Sequence, residues 1–365
     1  MISAEPHHAV NAPILTIDLD AIARNWAALD ALSGPAETGA AVKADAYGCG
    51  LVPVGAALWR AGCRRFFVAT LDEGIALRAA LPKAEIHVLN GIWGEGAAVA
   101  RAHGLIPCLN APHQVTAWRE AGGGPCALQV DSGMARLGVQ PGDIAPLIER
   151  ERETLAECTL IMSHMACADT PGHPQNAAQR AAFGDLLHLL RPALPHARAS
   201  LAATGGTLLG ADYQYDLVRC GIGLYGGMPF ADAEPVVTLT SPIIQIREVP
   251  TGASVGYGAG WTATRPSRIA TLPLGYADGF HRALSNGTSV YIGGRPAPLA
   301  GRVSMDLLTV DVTDHPDTTE NTPVEIIGPH RGIDALATDA GTIGYEMLTA
   351  LGTRYERRYK GANTN

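Results

Sequence analysis

The sequence predicts an α/β chain, a (β/α)8 TIM-type barrel followed by a mainly antiparallel C-terminal β domain. Three observations carry this expectation. From Ala40 to about Gly227, short β-rich runs alternate with Ala-rich helical segments, the pattern of βαβ units around a parallel sheet. The β-rich runs number eight, the count that closes a barrel. After about Asp232 the helical segments almost disappear and β-rich runs follow one another. An open doubly wound sheet is the alternative for the first part.

The elements follow in order. ILTIDLD (14–20) reads as a strand and AIARNWAALDAL as a helix after it. The eight barrel strands are AAVKAD (40–45), FFVAT (66–70), IHVLNG (86–91), LIPCLN (105–110), CALQVD (126–131), TLIMSHM (159–165), ASLAAT (199–204) and RCGIGLYG (219–226). Helices such as VGAALWRAG, EGIALRAAL and HQVTAWREAG lie between them. In the β domain VVTLTSPIIQIREV, RIATLPLG, TSVYIGG and LLTVDVT read as strands, and Pro242 implies an edge or a bulge. A short helix, TIGYEMLTALG, comes near the end, and the RRYKG segment reads as a solvated tail. The expected boundaries are a tail at 1–12, a barrel at 13–235 and a β domain at 236–365.

Composition excludes several classes. With 365 residues, 47% hydrophobic and 17% charged, the chain can bury a large core without disulfide staples. A net charge of −8 argues against non-specific nucleic-acid binding and against polyanionic membrane surfaces. No apolar run reaches the length of about 18 residues that reads as a spanning helix. The segment MISAEPHHAVNAP lacks the basic and apolar regions of a secretory leader. Seven scattered Cys without a CxxC fit a reduced, cytoplasmic protein. Neither a GxxxxGK[ST] loop nor an HExxH pattern occurs, so nucleotide and metal chemistry have little support and no metal is expected.

In a barrel, functional groups gather where strands end. Lys43 lies inside an apolar strand run, with Tyr47 and two glycines just after it. Either it pairs with Asp45 or reaches water, or burial lowers its pKa and leaves an amine able to form a Schiff base. Arg136 follows a Gly-containing turn and is either a surface residue or a fork for a carboxylate or phosphate. His164 is either a hydrogen-bonded core residue or a catalyst. Thr204 precedes two glycines, and Arg219 stands beside the Gly-rich stretch CGIGLYG. Small residues with free N–H groups at late strands suit a phosphate. Joint placement of Lys43, Arg136, His164, Thr204 and Arg219 at one barrel mouth strengthens the functional readings. Trp59, Trp93 and Trp118 read as core or helix-face residues, and Cys49 as structural.

The segments AVKADAYGCG, DSGMARLG, SHMACAD, VRCGIGLYG, VGYGAGW, LPLGYADGF, GRVSMD and GTIGYEMLTALG resemble alanine racemase motifs in order and spacing, from Ala41 to Gly352. The resemblance implies a pyridoxal 5′-phosphate (PLP) enzyme that interconverts L- and D-alanine. It also implies a head-to-tail homodimer in which the β domain completes the partner's site. By it, Lys43 matches the lysine that holds PLP. Tyr47, Thr204, Gly221, Ile222 and Tyr345 match the phosphate shell. Arg219 matches the residue facing the pyridine nitrogen, and His164 its neighbour. Tyr257 matches a second catalytic base from the other subunit. Arg136 and the backbone of Met305 match the substrate-carboxylate contacts. Tyr276, Asp169 and Arg282 match the entrance. Peptidoglycan precursor supply or alanine catabolism is the implied role. The alternatives are a racemase of serine, lysine or a broad range, or a non-catalytic PLP-binding homeostasis protein.

Three departures stand out. Gln129 occupies a position where the family commonly has a carbamate-forming Lys, so Arg136 must be held by the Gln129 amide oxygen, an anion such as chloride, or another residue. Ala203-Thr204 replaces the more usual Asn-Ser. Ser304 stands where Cys is common, a near-isosteric change compatible with activity.

Overall fold

The computed structural model of the chain describes residues 12–285 and 287–361. The expected tail at 1–12 lies, except for Ala12, outside the described residues. The described chain forms two compact units. One is Ile22–Glu234; the other joins the residues up to Ala21 to those from Pro235 onward.

A first strand, β1 (Ile14–Asp18), precedes the helix Leu19–Leu32. The barrel strands are β2 (Glu37–Ala41), β3 (Arg65–Val68), β4 (Glu85–Val88), β5 (Ile106–Leu109), β6 (Cys126–Gln129), β7 (Cys158–Met162), β8 (Arg198–Ser200) and β9 (Leu217–Cys220). They form one parallel sheet in the order β8-β7-β6-β5-β4-β3-β2-β9. Its two ends meet through the parallel bridge Ala203–Arg219, and Asp216 N–H donates to the Ala199 carbonyl at 3.0 Å. All eight predicted strands are present, one to four residues shorter than the apolar runs suggested. The excess forms the loops that carry chemistry. Lys43 therefore lies two residues beyond β2, not inside it. RCGIGLYG is half strand, half a 3-10 turn at Ile222–Tyr225.

The barrel strands are buried nearly end to end: Phe66, Phe67, Val68, Ile86, Val88, Ala127 and Leu128 are all inaccessible. Water is excluded from both faces of a parallel sheet covered by helices. Polar residues collect at the strand starts instead. Arg65 pairs with Glu85 at 2.7 Å and also with Glu37, which is shared with Arg198.

The second unit contains β10 (Val237–Ser241), β11 (Gln245–Val249), β12 (Ser254–Val255), β13 (Trp261–Thr262), β14 (Ser267–Leu272), β15 (Ser289–Ile292), β16 (Arg295–Pro298), β17 (Leu308–Asp311), β18 (Val324–Ile327) and β19 (Glu356–Lys360). Six strands pair as β16-β15-β18-β10-β1-β19, three as β11-β14-β17, and two as β12-β13. Apart from the β1–β19 pair, these ladders are antiparallel. Pro242 falls just beyond β10, whose register shifts between Leu239 and Thr240.

Two expectations change here. β1 was grouped with the barrel, yet it pairs with β10 and β19. Its alternation is the physical signal: Leu15 and Ile17 are buried while Ile14, Thr16 and Asp18 are partly exposed. That suits a sheet with one covered face, not a barrel strand covered on both. The RRYKG segment is not a solvated tail but forms most of β19, parallel to β1, with Lys360 Nζ 3.0 Å from Asp18. It lies at a sheet edge, where charged side chains discourage further pairing, so its composition resembles a tail. The helix Ile333–Ala340 was not anticipated, whereas Gly344–Thr349 was. Of the three tryptophans, Trp118 is core, Trp59 is half-buried under Arg64, and Trp93 is exposed.

Substituting Phe66, fully buried on β3, by Ala is expected to cost about 3–5 kcal/mol. Leu32→Ala, at an exposed helix end, is expected to change stability by less than about 0.5 kcal/mol. Urea denaturation of the two variants checks the difference.

Candidate active site

The sequence-predicted residues of the barrel unit gather at the carboxyl ends of β2, β6, β7, β8 and β9. Lys43 begins an unusual segment. Ala44, Asp45, Ala46 and Tyr47 all have φ between 53° and 55°, so the chain makes a left-handed helical turn. For L-residues that conformation costs roughly 1–2 kcal/mol per residue, and no glycine relieves it before Gly48. Side chains hold it. Asp45 Oδ1 accepts the Leu51 N–H at 2.7 Å. The Tyr47 ring stacks on Tyr225 at 4.6 Å. Glu73 Oε1 accepts the Ala44 N–H at 2.6 Å.

Around Lys43 the charge is positive. Burial first, then Arg136 and also Arg219, push its ammonium pKa below the usual lysine range, while Glu73 opposes them. The Asp45 pairing considered above is not formed, because that carboxylate caps the following helix.

Arg219, on β9, is 4% exposed. Its guanidinium donates to the Ser163 carbonyl at 2.6 Å, the Leu201 carbonyl at 3.3 Å and the Ser200 hydroxyl, and lies 3.4 Å from His164 Nδ1. Among the described residues no carboxylate pairs with it. Burial lowers its pKa to about 10, below the expected range but high enough to keep its charge at neutral pH. His164 is pushed down to about 3 by burial, then by Arg219, Arg136 and Lys43. Its ring is therefore neutral in the physiological range.

Thr204 lies beyond β8, and its hydroxyl accepts the N–H groups of Gly221 at 3.0 Å and Gly223 at 3.3 Å. A side chain at Gly221 would collide with the Tyr47 hydroxyl at 2.5 Å. Tyr47, Thr204, Gly221 and Ile222 thus belong to one close-packed corner. Asp169 lies against Gly205, where an added Cβ would come within 2.7 Å of its carboxylate, and burial raises its pKa.

Arg136 is carried on a loop that returns along β6. Asp131 Oδ1 accepts the N–H groups of Gly133, Met134 and Ala135 at 2.9–3.2 Å. Val139 N–H donates back to the Gln129 carbonyl at 2.8 Å. Gln129, one of the three alternatives for holding Arg136, forms no hydrogen bond with it. Its side-chain amide donates to the Leu137 carbonyl at 3.4 Å, because the tight return of the loop offers that carbonyl first. Among the described residues Arg136 has neither an ion pair nor a hydrogen-bonded side-chain partner.

The remaining candidates lie in the second unit. Tyr257 begins a three-residue turn between Gly256 and Gly260 and is 70% exposed. Tyr276 and Met305 are on adjoining loops: Tyr276 N–H donates to Ser304 O, and Ala277 N–H to Met305 O, both at 3.0 Å. Arg354 ties these loops together, bidentate to Asp278 at 2.6 and 2.8 Å and bonded to Asp306 at 2.7 Å. Arg282 is exposed on a short turn, and Tyr345 is half-buried on the helix Gly344–Thr349.

Sequence reading missed Ser200, Gln179 and Glu73. Gln179, fully buried, accepts the Ala166 N–H at 2.8 Å and donates to the His164 carbonyl at 2.9 Å, fixing the strand end that carries His164. Nothing in the sequence marks Gln179 or Ser200. Glu73 had a signal: Thr70-Leu-Asp-Glu73 is a capping box.

Comparison with known proteins agrees along most of the chain. Residues 17–229 match the family "Alanine racemase, N-terminal domain", and residues 236–359 match "Alanine racemase, C-terminal domain". An alanine racemase from Jannaschia sp. (strain CCS1) is 54% identical over 346 residues, covering 94% of this chain and 97% of the relative. One from Acidiphilium cryptum is 46% identical over 362 residues, covering 96% and 99%. Among solved structures, alanine racemase from Bartonella henselae with covalently bound pyridoxal phosphate superposes with a TM-score of 0.89 at 38% identity, covering 96% of this chain and 99% of that one. The biosynthetic alanine racemase from Pseudomonas aeruginosa also gives a TM-score of 0.89 at 38% identity, covering 96% and 100%. The chain belongs to the alanine racemase family.

Proposed function

We propose that this chain is a PLP-dependent alanine racemase whose barrel residues hold the cofactor and whose Tyr257 supplies the second base. The observation that carries the reading is the electropositive group Lys43, Arg136 and Arg219 around a neutral His164. The residues present fit the cofactor. A buried guanidinium without a carboxylate, a partly buried amine of lowered pKa and a glycine-bounded corner suit an anionic carbonyl compound.

In this reading Lys43 holds PLP. Tyr47, Thr204, Tyr345 and the backbone of Gly221 and Ile222 bind its phosphate. Arg136 and the Met305 backbone receive the substrate carboxylate, and Tyr276, Asp169 and Arg282 line the entrance. When bound, PLP delocalises the electron pair left at the substrate Cα. The protein supplies two bases for opposite faces of that carbon. Lys43 serves one face; its lowered pKa leaves more free amine at neutral pH. Tyr257 serves the other. An ordinary Tyr has a pKa of about 10, so a nearby positive charge, from Arg219 through His164, would assist it. Arg219 keeps its own proton, so it can donate hydrogen bonds to a ring nitrogen without readily protonating it. That limits electron withdrawal and disfavours transamination.

The 70% exposure of Tyr257 and 53% exposure of Met305 support a homodimer in which each β unit completes its partner's site. Seven free cysteines support a cytoplasmic setting, with D-alanine supplied for peptidoglycan or alanine catabolised.

Chiral chromatography of the holoenzyme with L-alanine, L-serine and L-lysine tests the assignment. D-alanine is expected to form fastest, Lys43→Ala to abolish it, and Tyr257→Phe to lower kcat about 10²–10⁴-fold. Faster D-serine or D-lysine formation would overturn the substrate, and no D-product the reaction. Arg219→Glu is expected to slow racemisation and raise the pyruvate released per D-alanine formed; an unchanged ratio removes Arg219 from control of the side reaction. His164→Ala is expected to shift the basic limb of the pH–rate profile. His164 itself does not titrate there, so a shift would report the relay, and an unchanged profile would exclude it.

A further inference from the structure

We infer that Glu73 is a positioning residue for the proposed reaction: its carboxylate pins the left-handed turn that presents Lys43. The inference rests on reading Lys43 as the reactive amine. Glu73 projects from the first turn of the helix Leu71–Ala80, and its two oxygens serve two different segments. Oε2 accepts the N–H groups of Ala69 at 2.7 Å and Thr70 at 3.2 Å, just beyond β3. Oε1 accepts those of Ala44 at 2.6 Å and Asp45 at 3.4 Å, just beyond β2. One carboxylate therefore staples the ends of two adjacent strands.

The turn requires such a hold. Four consecutive residues with side chains adopt positive φ, a conformation that none of them favours. Asp45 and Tyr47 fix the far end of the turn through Leu51 and Tyr225. Glu73 fixes the near end, next to Lys43. It is also the negative charge that opposes Arg136 and Arg219 at the Lys43 amine. An amide cannot replace it. Gln has one acceptor oxygen and would turn an NH2 group toward N–H donors on one of the two segments.

The test separates pinning from helix capping. In full-length Glu73→Gln, the Ala44 and Asp45 amides are expected to exchange with solvent about tenfold faster or more. The kcat for alanine is expected to fall about tenfold or more, with KM changed less than about threefold. Adding Ala44→Gly, which adopts positive φ freely, is expected to recover about threefold or more of that kcat. Thr70→Ala removes the cap of the same helix. It is expected to lower Tm while leaving exchange at Ala44 and Asp45 unchanged and kcat within about twofold. Wild-type exchange and kcat in Glu73→Gln would overturn the inference. So would a loss that Thr70→Ala reproduces and Ala44→Gly does not rescue. If Glu73→Gln does not fold, Glu73→Asp, which keeps the charge but reaches only one segment, takes its place with the same expectations. If the wild-type holoenzyme forms no D-alanine, the racemase reading fails by itself, and exchange at Ala44 and Asp45 still decides the role of Glu73.

Discussion

A guanidinium buried without a carboxylate partner is the constraint on which the barrel site depends. Desolvating a charge costs several kcal/mol even after relaxation, and Arg219 recovers this through a hydroxyl and two carbonyls at neighbouring strand ends. Those acceptors stand where they do because β7, β8 and β9 end together at the closure of the sheet. The retained positive charge then acts on its surroundings. It helps to keep His164 neutral and to lower the Lys43 pKa. Pairing Arg219 with a carboxylate would stabilise its burial and cancel that field.

Shape around the site is set by backbone as much as by side chains. The turn after Lys43 and the loop after Asp131 both use positive φ at non-glycine residues, Ala44 to Tyr47 and Ala135. In each, a carboxylate collects backbone N–H groups: Glu73 for the first, Asp131 for the second. Gly138 is required for a different reason. A Cβ there would lie 2.6 Å from the Asp131 nitrogen, so only glycine lets the loop return against β6. Strained conformations persist where surrounding contacts over-determine them, and they concentrate at functional sites.

The second unit solves a separate problem. Most of its candidate residues lie on exposed turns, Tyr345 being on a helix, and one ion cluster holds the Tyr276 and Met305 loops in register. Arg354 joins Asp278 to Asp306, and the Asp278 carbonyl accepts both the Tyr355 hydroxyl at 2.6 Å and the Gly352 N–H at 3.1 Å. Asp278 is only 4% exposed, so losing Arg354 would leave a buried carboxylate short of partners, at a cost well above that of a surface pair. Tyr276 and Met305 owe their placement to this arrangement.

The sequence carries the pattern of parallel βαβ units, because β-rich runs alternate with helical segments between most strands; closure into a barrel, against an open doubly wound sheet, rested on the count of eight runs. The sequence also determined the residue types at the strand ends, since Lys43, Arg136, His164 and Arg219 are polar groups in apolar surroundings. Tertiary structure decided the rest. The partner of β1 was invisible because strand pairing is a long-range choice, and its alternating burial has meaning only against β10 and β19. The charged strand β19 resembled a tail because edge strands and solvated ends share a composition. Gln129 and Arg136 stand seven positions apart in the chain, yet the return of the loop gives the Gln129 amide a carbonyl instead. Glu73 lies 30 residues from Lys43. Only the parallel pairing of β2 with β3 brings its carboxylate to the turn that needs it.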